Sequence, residues 1–206
     1  MKSGFIFLST LLLTSILVLV NSSAVSAETD EGILSASGSA SASGDSGEVA
    51  AASGNNRFVV WYDYTPGNYD IFFRRSTDNG ANWQPTVNLS TNPGPSYVPQ
   101  IAVSGANVYV VWSQQTTDGS LADIYVRKST DNGATWKSIV NISNNAGDST
   151  SPQIAVSGSN VYVTWYDQTP GKADIFLRRS ADNGSTWKAV KNLSSNAGFS
   201  YLVAVG

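Results

Sequence analysis

The sequence predicts an all-β fold made of three consecutive copies of one four-stranded antiparallel unit. The first observation is repetition, since Trp61, Trp112 and Trp165 lie 51 and 53 residues apart within closely similar segments. The second is the two-residue alternation of segments such as 108–112, which is typical of a strand. The third is an Asn-Gly pair, a strong hairpin signal, at the same place in every copy. Four short strands per copy account for all three observations.

The strands can be placed most clearly in the middle copy. Here they are predicted at residues 100–104, 107–113, 123–129 and 136–143. The three copies cover about 48–95, 96–148 and 149–199, and Ser200-Tyr201-Leu202 predicts the start of a fourth. A unit of this size cannot bury both of its faces alone, so the copies are expected to stack face to face.

Two polar patterns recur with the strands. Asp70, Asp123 and Asp174 are predicted to cap the third strand of each copy. Asn88-Leu-Ser90 and its two equivalents are glycosylation sequons at a single repeat position.

The N-terminus has the pattern of an export signal. Lys2 precedes an apolar run from residue 5 to residue 20, and Val25-Ser26-Ala27 fits a cleavage site ahead of Glu28. An uncleaved membrane anchor is the alternative, although the run is short beside the roughly 20 apolar residues that a spanning helix needs. Residues 1–27 are therefore predicted to be a signal peptide, and the mature chain to be secreted or extracellular, at the cell surface.

A spacer is expected between this signal and the repeats. Residues 28–47 are acidic and then rich in Ser, Ala and Gly, so they cannot bury enough apolar surface to offset the entropy of ordering. We interpret them as a flexible spacer and residues 48–206 as the folded segment.

Absent residue types exclude several chemistries. The chain has no cysteine and no histidine, which removes disulfides, cysteine nucleophiles, Ser-His-Asp catalysis and the commonest ligands of transition metals. A net charge of -3 does not suit nucleic acid, because binding there depends on neutralising phosphates. We expect no cofactor, no metal, no nucleic-acid partner and, after signal cleavage, no membrane.

The sharpest pattern is Ser-x-Asp-Asn-Gly-x-x-Trp, which occurs once in every copy. Asn and Gly tolerate the positive φ of a tight hairpin, and Ser and Asp side chains can hydrogen-bond to the turn backbone. The Trp is large enough to fill the gap beside a neighbouring unit. A calcium site is the alternative to this structural role, and it would need about six or more oxygen ligands. The residues concerned are Ser76, Asp78, Gly80 and Trp83; Ser129, Asp131, Gly133 and Trp136; and Ser180, Asp182, Gly184 and Trp187.

Three such patterns in register resemble the Asp box, or BNR repeat, of sialidases and related β-propellers. The resemblance covers residues 48–199 and implies a partial β-propeller of three four-stranded antiparallel blades, each with an Asp box between its third and fourth strands, plus the start of a fourth blade. It also implies that the Asp box is a structural turn away from the active site. Closed rings have about 4–8 blades, so self-association is expected to cover the two faces that three blades leave exposed.

The same resemblance implies what a working sialidase needs: three arginines for the substrate carboxylate, a tyrosine nucleophile assisted by glutamate, and an aspartate acid/base. An Arg-Ile-Pro-type motif is absent, and glutamate occurs only at Glu28, Glu31 and Glu48, outside the repeats or at their start. We therefore predict no catalytic residues. Basic residues at the ends of the third strands are predicted to be solvated; they are Arg74, Arg75, Arg127, Lys128, Arg178 and Arg179.

One departure from strict repetition points to a ligand. Trp61-Tyr62-Asp63 and Trp165-Tyr166-Asp167 match each other, whereas the middle copy has Trp112-Ser113-Gln114. Aromatic rings beside a carboxylate can stack on a sugar and hydrogen-bond to it, so Trp61, Tyr62, Asp63, Trp165, Tyr166 and Asp167 are candidate ligand-binding residues. The alternative is that each Trp lies in the core between units and each Tyr-Asp pair begins a turn.

These observations favour an exported, non-catalytic module for surface recognition or scaffolding, with glycans or cell-surface proteins as partners. A fragment of an exo-sialidase-type glycoside hydrolase is the second hypothesis. A truncated gene remnant is the third.

Overall fold

The computed structural model describes residues 25–29, 32–36, 49–64, 67–169, 171–195, 198 and 200. Its first element is an antiparallel ribbon of strand β1 (Val25–Thr29) and strand β2 (Gly32–Ala36). The ribbon includes the expected cleavage segment and part of the expected spacer, and the rest of the expected signal peptide and of the spacer lies outside the described residues. Within the described ranges, no helix is long and apolar enough to cross a membrane. The signal peptide and the spacer therefore stay predictions.

Three four-stranded antiparallel sheets follow in chain order. Sheet 1 contains β3 (Val49–Ser53), β4 (Asn56–Asp63), β5 (Asp70–Ser76) and β6 (Val87–Asn88). Sheet 2 contains β7 (Ser96–Ser104), β8 (Asn107–Gln115), β9 (Ala122–Ser129) and β10 (Val140–Asn141). Sheet 3 contains β11 (Ser149–Ser157), β12 (Asn160–Asp167), β13 (Asp174–Ser180) and β14 (Lys191–Asn192). Strands pair with their neighbours in sequence, which confirms the all-β fold and the three four-stranded units.

The fourth strand is much shorter than the sequence predicts. The prediction of a strand over 136–143 is wrong, because β10 covers only Val140–Asn141. Trp136 and Ile139 both pack against the core beside sheet 1. Residues three apart cannot share one face of a regular strand, in which side chains alternate. The chain therefore leaves the ladder after the turn so that both side chains reach the core.

The first strand is longer than predicted. β7 begins at Ser96 instead of residue 100, because a bulge between Tyr97 and Gln100 lets pairing with β8 continue past an irregularity at Val98, whose φ is 52°. Ser200 N donates to Ala173 O at 2.9 Å, as Ser96 N donates to Tyr69 O at 2.7 Å. The other residues of the predicted fourth unit, Tyr201 and Leu202, lie outside the described residues.

A carboxylate holds the start of each third strand, as predicted. Asp123 accepts hydrogen bonds from Asn141 Nδ2 at 2.7 Å and from Ser143 Oγ at 2.6 Å, and Ser143 Oγ accepts one from Ile124 N at 2.9 Å. Asp70 and Asp174 make the same bonds with their own Asn and Ser. The amide nitrogen of each of these three sequons thus serves to fix a third strand.

Two apolar cores lie between adjacent sheets. The core between sheets 1 and 2 includes Phe58, Phe73 and Trp112. The core between sheets 2 and 3 includes Tyr109, Ile124 and Trp165. Sheet 2 contributes both of its faces to these cores, whereas sheets 1 and 3 each contribute one. The three sheets are therefore stacked like successive blades.

Because the strands are antiparallel, the connections of every sheet lie at the two opposite ends of its strands, which we call edges. One, which we name the turn edge, carries the hairpin between the first two strands and the Ser-x-Asp-Asn-Gly turn, and Asn132 N donates to Ala106 O at 2.9 Å between them. The opposite one, the loop edge, carries the connection from the second to the third strand and the entry into the next sheet. The candidate ligand residues of the sequence all lie at or next to the loop edge.

Candidate functional site

The turn edge is built from self-contained hydrogen-bond networks. Ser129 Oγ donates to Asp131 Oδ1 at 2.6 Å and accepts from Gly133 N at 2.8 Å, and Asp131 also accepts from Thr135 N at 2.9 Å. The turns of sheets 1 and 3 repeat these bonds. Across the described residues, no group of three or more Asp, Glu, His or Cys side chains could hold a metal ion. These carboxylates therefore hold the turns.

The Trp residues of the second and third turns reach the preceding sheet. Trp136 meets Phe73 of sheet 1 edge to face, with ring centroids 4.9 Å apart. Gly133 lies against the same ring, because a Cβ at this position would come 2.6 Å from Phe73 Cζ. Trp187 packs in the same way against the core between sheets 2 and 3. The turns thus fix one sheet on the next as well as closing the hairpin.

Replacing Ser129 with alanine is expected to lower the free energy of unfolding by about 2 kcal/mol. Ser129 is fully buried, so its loss leaves the Gly133 N–H and one oxygen of Asp131 without their partner. The measurement is chemical denaturation followed by tryptophan fluorescence. Thr130→Ala, at the exposed neighbouring position, should change stability by less than about 0.5 kcal/mol. Equal effects of the two variants would contradict this role.

The turn carboxylates also make stability depend on acid pH. Hydrogen bonds from Ser76 and then Asn82 lower the pKa of Asp78 to about 2. In the loop between β8 and β9, hydrogen bonds from Thr116 and then Ser120 lower the pKa of Asp118 to about 2 as well. Hydrogen bonds from Ser129 and Ser180 lower the pKa values of Asp131 and Asp182 in the same way.

We therefore expect the melting temperature to be level from pH 7 to pH 5 and to fall from about pH 4 towards pH 2. Each folded-state pKa lies below its unfolded value, so the stabilisation is complete above the unfolded pKa and is lost as pH falls through the folded one. Melting curves across this range measure the effect, and Asp131→Asn should reduce it. A transition centred near pH 6 would contradict the account, because the chain has no histidine.

Two of the candidate ligand residues are enclosed. Trp165 and Asp167 are fully buried, and Trp165 Nε1 donates to Asp167 Oδ2 at 2.9 Å. The same carboxylate accepts from Ser149 Oγ at 2.9 Å, from Thr169 N at 2.8 Å and from Asn145 Nδ2. Burial by itself raises the pKa of Asp167, but these donors outweigh it and the net shift is downward. Trp165 and Asp167 thus tie the loop edge of sheet 3 to the linker from sheet 2.

An amide takes the place of this carboxylate in sheet 2. Trp112 Nε1 donates to Gln114 Oε1 at 3.2 Å, and Asn92 Nδ2 donates to the same oxygen at 3.0 Å. The two linkers therefore use one arrangement, in which an Asn reaches forward to the polar side chain two residues after a core Trp. The middle copy thus makes the same contact although its residues at these positions are different.

The matching residues of sheet 1 have a more open setting. Trp61 is half-buried and stacks on Phe72, with ring centroids 6.0 Å apart. Asp63 is exposed, and Tyr62 turns to the opposite face, towards the core with sheet 2. In sheet 3, Tyr166 is half-buried. The structure thus separates the six candidates. Trp165 and Asp167 are enclosed, Trp61 and Tyr166 face outward from sheets 1 and 3, and Tyr62 and Asp63 lie at the loop edge of sheet 1.

Four tyrosines meet at that edge, and we name Tyr62, Tyr64, Tyr69 and Tyr97 the tyrosine cluster. Ring centroids are 5.8 Å apart for Tyr62 with Tyr69 and with Tyr97, and 5.0 Å apart for Tyr69 with Tyr64 and with Tyr97. Tyr64 is 59% exposed. Burial, and then the neighbouring Tyr69, raise the pKa of Tyr97.

The loop that carries the cluster is held by short local contacts. Gly67 N donates to Tyr64 O at 3.1 Å, and Ser96 N donates to Tyr69 O at 2.7 Å. Asn68 Nδ2 donates to Pro93 O at 3.1 Å in the linker to sheet 2. The described residues of the connection between β4 and β5 are therefore bonded to one another and to the linker into sheet 2.

The cluster occurs once in the described chain. Positions equivalent to its members hold Ser113, Gln115, Ala122 and Thr150 around sheet 2. Sequence reasoning selected Tyr62 but missed Tyr64, Tyr69 and Tyr97. The signal was present, since Tyr64 and Tyr69 replace non-aromatic residues of the other two copies and Tyr97 takes the place of Thr150, but their convergence depends on the linker that brings Tyr97 to sheet 1.

Arginines at the ends of the third strands join neighbouring sheets. Arg127 Nη1 donates to Leu89 O at 2.8 Å, and Arg178 Nη1 donates to Ile142 O at 2.9 Å. Burial lowers the pKa of both side chains. The prediction of solvated strand ends is therefore wrong for Arg127 and Arg178, because each of these two guanidinium groups reaches a carbonyl of the preceding sheet, whereas Arg179 is exposed as predicted.

No family model matches the chain, and no curated protein matches it. Among solved structures, it is similar to an α-L-arabinofuranosidase of Fusarium graminearum, with 17% identity, a TM-score of 0.46 and coverage of 69% of this chain and 46% of that chain. It is also similar to an endo-arabinase of Bacteroides thetaiotaomicron, with 13% identity, a TM-score of 0.49 and coverage of 72% and 61%. A third similar structure is an endo-arabinanase of Bacillus licheniformis, with 13% identity, a TM-score of 0.42 and coverage of 68% of this chain and 53% of that chain. The chain thus spans about half the length of these proteins, and likeness at this level assigns it no family, substrate or activity.

Proposed function

We propose that this chain is an exported, non-catalytic recognition module that binds glycans at the tyrosine cluster. The observation that carries the proposal is the convergence of Tyr62, Tyr64 and Tyr97 on Tyr69, with the ring of Tyr64 exposed at the edge of the cluster, at one place in an otherwise repetitive chain. Tyrosine supplies a rigid apolar face and a hydroxyl on the same side chain, at a low entropic cost of ordering. The ring can stack on the apolar face of a sugar while the hydroxyl hydrogen-bonds to it.

The surroundings of the cluster support recognition without hydrolysis. Paired carboxylates are the usual requirement for glycoside cleavage, and a tyrosine nucleophile needs an acidic assistant. Asp63 lies beside the cluster, whereas Asp70 is committed to Asn88 and Ser90. The sequence offers glutamate only at positions 28, 31 and 48. A single acidic residue beside aromatic rings suits binding better than acid/base catalysis.

The test is a printed array of neutral, sialylated and sulfated oligosaccharides probed with the purified chain. We expect binding to a subset of them, and Tyr64→Ala and Tyr69→Ala should each weaken it at least about tenfold. Gln168→Ala is the matched control, because Gln168 is the exposed equivalent of Tyr64 in sheet 3. If binding to the oligosaccharides is unchanged in both tyrosine variants, the proposal that the cluster is the binding site is contradicted.

Hydrolysis and export are tested with the same preparation. A fluorogenic sialoside should give no turnover, and turnover that rises in proportion to the purified chain would support the sialidase alternative instead. The chain is best recovered from the medium of expressing cells, where its N-terminal sequence is expected to begin at Glu28. Retention in the cells with the leader intact would contradict export.

A further inference from the structure

The two interfaces between sheets use the same polar contacts. Arg127 of sheet 2 donates to Leu89 O of sheet 1, and Arg178 of sheet 3 donates to Ile142 O of sheet 2. In both cases, Nε of the arginine is anchored on its own sheet, by Lys137 O at 2.9 Å and by Lys188 O at 2.8 Å. The arginine therefore projects from the side of each sheet that faces the preceding one.

A second contact runs in the opposite direction at the turn edge. Arg75 Nη1 of sheet 1 donates to Asn132 O of sheet 2 at 3.1 Å, and Lys128 Nζ of sheet 2 donates to Asn183 O of sheet 3 at 2.9 Å. Sheet 2 thus offers one cation, Arg127, to the sheet before it and another, Lys128, to the sheet after it. Such an interface is directional, with a different surface on each side.

The outer face of sheet 3 repeats the surface that the next sheet would cover. Leu193 is 54% exposed, whereas its equivalents Leu89 and Ile142 are 0% exposed beneath a neighbouring sheet. Tyr162 and Leu177 on this face are half-buried, whereas their sheet 2 equivalents lie in the core with sheet 3. Arg179, the equivalent of Arg75 and Lys128, is exposed at its turn edge.

The outer face of sheet 1 repeats the complementary surface. Trp61 and Val59 are half-buried, whereas Trp112 and Trp165 at the position of Trp61 are fully buried. Arg74 Nε is anchored on Gln84 O at 3.0 Å, in the same way as the two arginines that bridge sheets. Its Nη2 also lies 3.5 Å from Trp83 O, so the side chain is held on its own sheet at the position from which the two bridging arginines extend.

One part of the outer face of sheet 1, formed by β3 and the start of β4, differs from this pattern because its side chains are buried within one chain. Ala50, Ala52 and Arg57 are buried. Arg57 replaces a valine of the other sheets, and its guanidinium is bonded to Gly54 O, Asn56 O and Asn79 Oδ1. The surface available to a partner is therefore the outer part, with Val59, Trp61, Phe72 and Arg74.

We propose that a second copy of this chain docks head to tail, so that sheet 3 of each copy covers the outer part of sheet 1 of the other. Arg74 of one copy then donates to Leu193 O of its partner, and Arg179 of the partner reaches Asn79 O of the first copy. These pairs reproduce the contacts at both internal interfaces. Two such junctions join six sheets into one closed ring, and the occupant is a second copy because one chain carries both halves of the junction.

The first test is the mass of the full chain in solution, measured by light scattering and sedimentation over a wide range of concentrations. Twice the mass of one chain is expected. Leu193→Asp should give a folded monomer, because Leu193 is mostly exposed within one chain. Leu121→Asp, at a 39% exposed leucine of the loop edge outside both faces, should leave the dimer intact. A monomeric native chain or an open-ended polymer would overturn the proposal.

The second test fixes the direction of docking. The chain has no cysteine, so Arg74→Cys and Leu193→Cys each introduce a single thiol. A mixture of the two variants should be cross-linked by a short bis-maleimide, and either variant alone should not. Cross-linking of Leu193→Cys to itself would show that sheet 3 meets sheet 3, which contradicts head-to-tail docking. This outcome is independent of glycan binding, so the two proposals can fail separately.

Discussion

Gly147→Ala is expected to lower the free energy of unfolding by about 3 kcal/mol. Gly147 lies in the linker between sheets 2 and 3, where a Cβ would come 2.4 Å from Thr169 N and 2.6 Å from Thr169 Cα. These are backbone atoms and cannot rotate away, so the linker or the end of β12 must move. Gly94, at the same place in the preceding linker, lies closer still to backbone, since a Cβ there would come 1.9 Å from Gln115 O.

Gly158→Ala is the comparison that isolates this clash. Gly158 has a φ of 56° but no atom within 4 Å of its ideal Cβ, so alanine there meets only backbone strain, about 1–2 kcal/mol. Urea denaturation of the native chain and both variants measures the difference. If Gly147→Ala were no more destabilising than Gly158→Ala, the linker would not be clamped as described.

Asp167→Ala is expected to cost about 3–4 kcal/mol, because a buried acceptor of several hydrogen bonds is lost at once. Trp165 Nε1, Ser149 Oγ and Thr169 N all donate to this carboxylate, and Trp165 and Ser149 have no route to solvent. The loss also releases Asn145 and with it the linker from sheet 2. Thermal and urea unfolding measure the change.

Asp167→Gln is the matched control, since sheet 2 carries Gln114 at this position and uses its oxygen for the same Trp and Asn contacts. We expect it to cost less than half of the alanine substitution. Equal losses from the two variants would mean that the hydrogen bonds of Asp167 contribute little and that side-chain volume dominates.

The repeated elements could be predicted from sequence because their cause is local. Asn79, Asn132 and Asn183 have φ values of 64°, 55° and 55°, which is what Asn-Gly turns require. The alternation of residues 108–112 likewise placed β8 correctly. Local periodicity also gave the three four-stranded sheets, but not the ribbon of β1 and β2.

Features that depend on the meeting of two sheets could not be predicted in this way. Trp136 and Ile139 leave their strand to fill a core with sheet 1, and Arg127 reaches Leu89 O across the interface. Asp167 was predicted to bind a ligand because it follows two aromatic residues. Its carboxylate instead accepts a hydrogen bond from Asn145, which lies 22 residues earlier in the linker from sheet 2. The tyrosine cluster needs Tyr97 from the next sheet. In each case, the partner is distant in sequence and has no fixed spacing.

The most direct test of glycan recognition at the tyrosine cluster is a nuclear magnetic resonance titration of the chain labelled with 13C in its tyrosine rings. The titrant is the oligosaccharide that gives the strongest signal on the array. The proposal predicts that the resonances of Tyr64 and Tyr69 shift in a saturable way, while that of Tyr109, buried between sheets 2 and 3, stays in place. Saturable binding that leaves the cluster resonances unmoved, or that shifts only Tyr162 and Tyr166 on sheet 3, would contradict it.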